Sequence, residues 1–396
     1  MFARRKNAEA LFTTRFFALW VFAFITFFSA FQLFPAIPFR ILELGGSEAE
    51  AGAFLAVYTF ASAFAAPLMG SFADHVGRRR LLVGVSVAFI GFSVAYGLVT
   101  NLPTLLLIGA VHGAIWSGIL SSSSAIMSDY IPESRRTEGL AYWGLASTAA
   151  VAVAPFVGLA VSTRFGWRNL CLELAAISVA MALWGSRLDE TSSPHSLTRM
   201  PSPGELFDWR VTLASLSLFT ISFGYGGVTS YVAILAMERG IEPRALYFAV
   251  YACAIVASRV LTSPIGDRHG SLRLLYPALA IVPPALLLLS FATTRWEWIL
   301  SAILFGSGFG VAYPAFVTFV LQKTDGQRRA RTFGSIIWAF DTGIGTGSLL
   351  TGVIGQRYGL RYAFVLCAVT ATLAIPVFRI TSRQLALRTR SPHWPS

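Results

Sequence analysis

Apolar runs of about twenty residues, separated by short polar clusters, follow one another along the whole 396-residue chain. Twelve runs can be drawn, at roughly 15–38, 50–72, 81–100, 103–127, 139–162, 167–187, 211–235, 244–265, 274–293, 297–321, 332–355 and 361–380. Each is long enough to cross a hydrocarbon core of about 30 Å as a helix. Several contain Pro or Gly, which membrane helices tolerate when neighbouring helices satisfy the freed backbone groups. The pattern predicts an all-α membrane protein with twelve transmembrane helices. The opening "MFARRKNAEALFTTRFFALW" has the basic flank of a signal peptide. The apolar run behind it is too long for one and lacks an A-x-A site, so an uncleaved first span is expected.

Composition agrees: 13% of residues are charged, about half the share usual in a soluble chain. A net charge of +12 raises the question of nucleic acid, and the placement of the bases answers it. With twelve spans and an inner N-terminus, 22 of the 31 Lys and Arg fall on one side and eight on the other, with Arg259 inside a span. That bias is a topology signal, which sets both termini in the cytoplasm and calls for no nucleic acid. Cys171, Cys253 and Cys367 lie in apolar segments, are odd in number and show no ligand spacing. They are expected as small core residues, with no metal and no cofactor.

Between spans six and seven, "DETSSPHSLTRMPSPGELFDW" is polar, rich in Ser and Pro, and without apolar period. It reads as a cytoplasmic linker, dividing the chain into a six-helix bundle over 1–188, a linker over 189–210, a second bundle over 211–381 and a tail over 382–396. The bundles are internally related. Asp74 and Asp267 lie 193 residues apart, each three residues before a glycine, Gly77 or Gly270. The same offset carries Gly113 to Gly306, Arg135-Arg136 to Arg328-Arg329, and "RFGWR" at 164–168 to "RYGLR" at 357–361. Two pseudo-symmetric halves of this kind occur in transporters that rock about a central site.

"GSFADHVGRRRLL" at 70–82 resembles the loop between spans two and three of the major facilitator superfamily, G-x-L-a-D-R-x-G-R-R, and "SPIGDRHGSLRLL" at 263–275 resembles its second copy. "RRTEGLAYWGLASTAAVAVAPFVG" and "AFDTGIGTGSLLTG" are similar to spans five and eleven of its bacterial efflux members, the arabinose-efflux-like or drug-efflux-like permeases. The resemblance implies a secondary transporter that moves a small organic solute by alternating access, in proton-coupled export. It also implies that span two packs beside span eleven. Asp74 would then face the N-terminus of span eleven and Asp267 that of span five, where a carboxylate is favoured by about 0.3–1 kcal/mol. Gly77 and Gly270 would permit the tight turns, and Arg78 to Arg80 would anchor the loop to anionic headgroups. Asp74, Gly77 and Arg78, with Asp267, Arg268 and Gly270, thus form the expected inner gate; termination of a helix and topology alone would also account for them. The chain departs from the efflux pattern R-x-x-q-G, with Gly109 in the arginine position and His112 in the glutamine position. It keeps Pro155 and Gly158 of the antiporter signature but has Ala154 in place of a glycine.

An ionisable group at mid-bilayer costs about 2.5–3.5 kcal/mol on insertion scales, so the few present are informative. Asp341, in "IIWAFDTGIGTGS", lies about 13 Å into span eleven, with no Lys or Arg from Thr332 through Gln356. It is suited to carrying the coupling proton, or to hydrogen-bonding a helix brought close by Gly343, Gly345 and Gly347. His112 lies about 12 Å into span four. It is either a second proton site or a neutral histidine bonded to a carbonyl. Glu173 is the third candidate for the proton, or snorkels toward Arg168. Arg259, two turns before Asp267, is expected to tie to the gate. The nine Phe and Trp residues of span one, from Phe16 to Phe34, occupy too many faces for all to line a cavity. Tyr225, Tyr231 and Tyr313 are the better cavity candidates.

The absence of a G-x-x-x-x-G-K-[ST] sequence argues against ATP-driven export by this chain. The expected protein is a monomeric, multi-pass protein of the bacterial inner membrane, with a small-molecule substrate, membrane lipids and protons as partners. An importing symporter of the same fold is the first alternative. A sensor or polytopic enzyme is the second, for which the five scattered histidines give no cluster.

Overall fold

The computed structural model describes residues 10–132, 135–191, 208–323 and 329–386. The first half holds α1 (Thr14–Glu43), α2 (Glu48–Val76), α3 (Arg78–Leu98), α4 (Leu102–Tyr130), α5 (Arg136–Phe165) and α6 (Trp167–Gly185). The second holds α7 (Trp209–Glu238), α8 (Leu246–His269), α9 (Ser271–Phe291), α10 (Arg295–Gln322), α11 (Arg329–Tyr358), α12 (Leu360–Thr372) and α13 (Ala374–Ala386). The last two form one span, Leu360–Ser382, so each of the twelve predicted runs falls on a helix. Most are longer than their apolar cores, because capping residues extend them. Thr13 caps α1, Asn101 caps α4 and Asp208 caps α7, while Ser47 with Glu50 and Thr294 with Glu297 close capping boxes on α2 and α10.

Within each half, short turns make successive spans alternate in direction between the face on which α1 begins, here the proximal face, and the opposite, distal face. The repeat is visible in the turns. Gly77 and Gly270 join α2 to α3 and α8 to α9 at φ +106° and +86°; Gly166 and Gly359 join α5 to α6 and α11 to α12 at +85° and +90°. A side chain would be strained at all four. Packing repeats as well: α2 on α4, α1 on α5 and α3 on α6 recur as α8 on α10, α7 on α11 and α9 on α12. At Gly113 an added Cβ would strike the carbonyl of Tyr58, and at Gly306 that of Tyr251. Those two tyrosines are themselves 193 residues apart.

Among the described residues, ten helices are long and apolar enough to cross a membrane. Helix α8 offers a shorter apolar stretch, Leu246–Thr262, and α11 is not among the ten. The reason for α11 is its content: six glycines from Gly334 to Gly355, with Asp341 between them. Glycine adds little apolarity but permits close approach, and α11 packs against α7 and α2. Helix α7 is similarly enclosed, with 89% of its apolar stretch buried against 39% for α3 and α6. The peripheral helices instead carry exposed apolar stripes, Val87, Val94 and Leu98 on α3 and Leu172, Val179 and Leu183 on α6. Such stripes suit lipid contact. Cys171 and Cys367 are buried as expected; Cys253 is exposed on α8, and the expectation of a core position is corrected there.

Candidate functional site: the space between the halves

The halves meet along two seams, α2 with α11 and α5 with α8. The first is the closer. A Cβ at Gly52 would collide with the Ser348 carbonyl, one at Gly352 with the Tyr231 hydroxyl and the Glu48 carbonyl, and one at Gly345 with the Thr59 hydroxyl. Two bonds cross the seam toward the distal face: Tyr231 donates to the Glu48 carbonyl, and Ser348 Oγ donates to the Gly52 carbonyl at 3.0 Å. Beside them the Arg244 guanidinium lies 5.8 Å from the Phe39 ring of the other half. Tyr231, expected on a cavity wall, is therefore fully buried in this distal seal.

Asp341 lies two to three turns of α11 nearer the proximal face. It is half-buried, with the Ser62 hydroxyl of α2 beside its carboxylate as hydrogen-bond partner. Tyr58, one turn from Ser62, and Tyr313 of α10 are close enough to feel its charge. No described Lys or Arg pairs with it. Further along, Phe64 of α2 meets Trp338 of α11 edge-on, with centroids 6.4 Å apart. The carboxylate thus sits in the seam itself and is not fully enclosed by it.

The second seam carries the base. Arg259 of α8 is half-buried and its Nε donates to the Gly310 carbonyl of α10 at 2.9 Å. Its Nη1 lies 3.8 Å from where a Cβ of Gly144 in α5 would sit. Tyr313 feels both Asp341 and Arg259. It is half-buried and packs on Phe340 at 5.0 Å. Tyr225 is half-buried too, stacked on Phe309 at 4.7 Å and on Tyr251 at 6.0 Å. On the facing wall, α1 touches α2, α4, α5 and α6 and also α7. It has little surface left for lipid, and its stacked ladder Trp20, Phe24 and Phe28 is half-buried.

The remaining candidates lie elsewhere. His112 is buried within the first half, its Nδ1 3.2 Å from the Tyr96 hydroxyl and its ring 4.4 Å from Phe89, 4.9 Å from Phe92 and 5.1 Å from Tyr58. No carbonyl among the described residues holds it, and its Nε2 has no partner among them. A cavity of about 10 Å³ beside it, lined in part by Ser29, Ser93 and Ser178, is of the size that one water needs. Glu173 lies near the fully buried Gln32 of α1, whose amide has no hydrogen-bond partner among the described residues, and forms no ion pair with Arg168 among them. Gly109 packs on the Phe54 ring, so an arginine there would displace it. At the proximal turn, Arg78 pairs with Asp129 at 2.5 Å, an anchor within the protein where headgroups were expected. Asp74 and Asp267 lie in the last turns of α2 and α8. Their side chains, and that of Arg268, lie outside the described residues.

Two spans of an internally repeated bundle, brought together by glycines around a membrane-embedded acid, can be compared with known proteins. The Major Facilitator Superfamily profile matches residues 19–336 and 248–394. The chain belongs to this superfamily. Among curated relatives, the multidrug resistance protein MdtG of Citrobacter koseri is 22% identical over 366 residues, covering 88% of this chain and 90% of its own. Among solved structures, a bacterial homolog of the human lysosomal transporter Spinster, inward-facing and unoccupied, superposes with a TM-score of 0.76 at 16% identity, over 98% of this chain and 100% of that one. The nucleoside transporter NupG gives 0.71 at 14%, over 94% and 100%. The chain is thus a multi-pass membrane protein and a secondary transporter. Its relatives are transporters, in keeping with the expectation of no enzyme.

Sequence reasoning missed Tyr58 and Ser62 as neighbours of Asp341. The 193-residue offset that links Tyr58 to Tyr251 was a usable signal for the first. For Ser62 no signal was available, since a serine in an apolar helix has many uses.

Proposed function

We propose that this transporter exports a small organic solute in exchange for protons, with Asp341 carrying the proton. One observation supports the reading most: a carboxylate in the α2/α11 seam, half-buried, beside Ser62 and with no described cation paired to it. A proton is the simplest way to neutralise such a group in a membrane. The seam is also where the halves must separate. Protonation on one side and release on the other would then bias opposite arrangements, which is how a coupling ion shifts a two-state equilibrium. The likeness to MdtG supports export. His112 and Glu173 lie off the seam and are assigned supporting roles at most.

The proximal face is assigned to the cytoplasm on the distribution of Lys and Arg, with residues 192–207 as the connection between two rocking six-helix bundles. The seal along the distal half of α2 and α11 then corresponds to an inward-open state. Asp74 and Asp267 would latch the inner side in the opposite state, with Gly77 and Gly270 setting the turns and Arg78 holding the loop to α4. The chain is expected to work as a monomer in the bacterial inner membrane.

Everted vesicles with an imposed pH gradient test the reading. The wild type should accumulate solute when the lumen is acid, and Asp341→Asn should lose gradient-driven uptake while keeping solute exchange without a gradient. Gradient-driven accumulation by the Asn variant would move the coupling site elsewhere. Accumulation only in right-side-out vesicles, driven by an inward proton gradient, would make the protein an importing symporter.

A further inference from the structure

The proton reading leaves Arg259 unused. Among the described residues no carboxylate forms an ion pair with it; its Nε is bonded to the Gly310 carbonyl, and the groups that feel it are Tyr251 and Tyr313. Asp341 is not its partner, since that carboxylate is engaged with Ser62 on the other seam. The repeat offers no scaffold explanation either, because the position 193 residues earlier is Ala66. The Gly310 bond holds Nε in place and leaves the two terminal nitrogens, with Nη1 turned toward Gly144 of α5 in the other half.

We propose that the transported solute carries an anionic group, a carboxylate, which pairs with Arg259 between α8 and α5. A fixed guanidinium offers parallel N–H donors at the spacing of the two carboxylate oxygens. The rings beside it suit an apolar, flat body: Tyr313 packs on Phe340, Phe340 lies 5.9 Å from Phe309, and Phe309 stacks on Tyr225. The solute class is therefore an aromatic or similarly apolar organic acid. This assignment rests on reading the space between the halves as the transport path. The competing account is that Arg259 only staples α8 to α10 through Gly310; that account predicts a loss of stability on substitution and no preference for acids.

The test uses the full-length protein in lipid nanodiscs and reads thermal stabilisation by benzoate, 1-naphthoate and indole-3-acetate, each beside its neutral primary amide. At least one acid should stabilise the wild type at a concentration tenfold or more below that of its amide. Arg259→Gln should erase that gap, and Arg259→Lys should narrow it. Acids and amides acting alike on the wild type, or a gap that survives in Arg259→Gln, would overturn the proposal. If the Gln variant is not recovered folded, the wild type and Arg259→Lys decide: an undiminished gap in the Lys variant counts against the guanidinium. Asp341→Asn should keep the acid preference, so a failure of the proton reading and a failure of this one give different results.

Discussion

Seam α2/α11 and seam α5/α8 occupy equivalent places in the two halves, yet the first is sealed backbone to backbone and the second is not. The repeat shows why. Gly345 and Gly352 of α11, which meet α2, correspond at the 193-residue offset to Ala152 and Leu159 of α5. Where α11 lets another backbone come within reach of its own, α5 has side chains in the way. Ionisable groups are divided in the same fashion: Asp341 corresponds to Thr148, and Arg259 to Ala66. A duplicated scaffold has thus kept its turns and helix pairs while its two seams diverged, one toward close contact around an acid, the other toward a looser contact beside a base. The turns and pairs hold the bundles together, so both halves need them. The seams do different work and need not match.

This contrast can be broken by substitution, most severely at Gly352. Gly352→Leu places a branched side chain against the Glu48 carbonyl and the Tyr231 hydroxyl and should prevent the distal seal from closing. Transport should fall by more than about tenfold, since overpacking commonly costs about 1–3 kcal/mol or more. A cysteine at Ser47 should become more reactive to a membrane-impermeant maleimide; unchanged labelling and transport would show that the seal does not hold the distal face shut. Gly345→Ala is the milder form, because its Cβ meets the Thr59 hydroxyl, which can rotate. A destabilisation of about 1–2 kcal/mol is expected, read as a lower melting temperature in detergent.

Tyr231→Phe removes only the hydroxyl that bonds the Glu48 carbonyl. The expected loss is about 1 kcal/mol, with the equilibrium moved toward distal opening and the fold unchanged; a melting temperature and labelling pattern equal to the parent would show that the bond contributes nothing. Gly144→Ala in the other seam should do least, about 0.5 kcal/mol or less, because its Cβ would meet only Arg259 Nη1 at an ordinary 3.8 Å. A larger effect there than at Gly345 would reverse the ranking of the two seams.

Much of this was legible in the chain. Twelve apolar runs gave twelve helical stretches, because a bilayer forces every backbone group into helix hydrogen bonds. The four turn glycines were found by the repeat and carry positive φ, since a one-residue turn between antiparallel helices excludes a Cβ. Asp341 stood out as an acid without a base in its own helix. Only the tertiary structure decided which polar residues face the space between the halves. It sent Tyr231 into the seal, left Tyr225 and Tyr313 half-buried, and enclosed His112 among Phe89, Phe92 and Tyr58. The physical reason is that every side of a membrane helix is apolar, so the sequence lacks the polar stripe that in water marks the outward face. Span identity is a property of the run, and facing is a property of the neighbours.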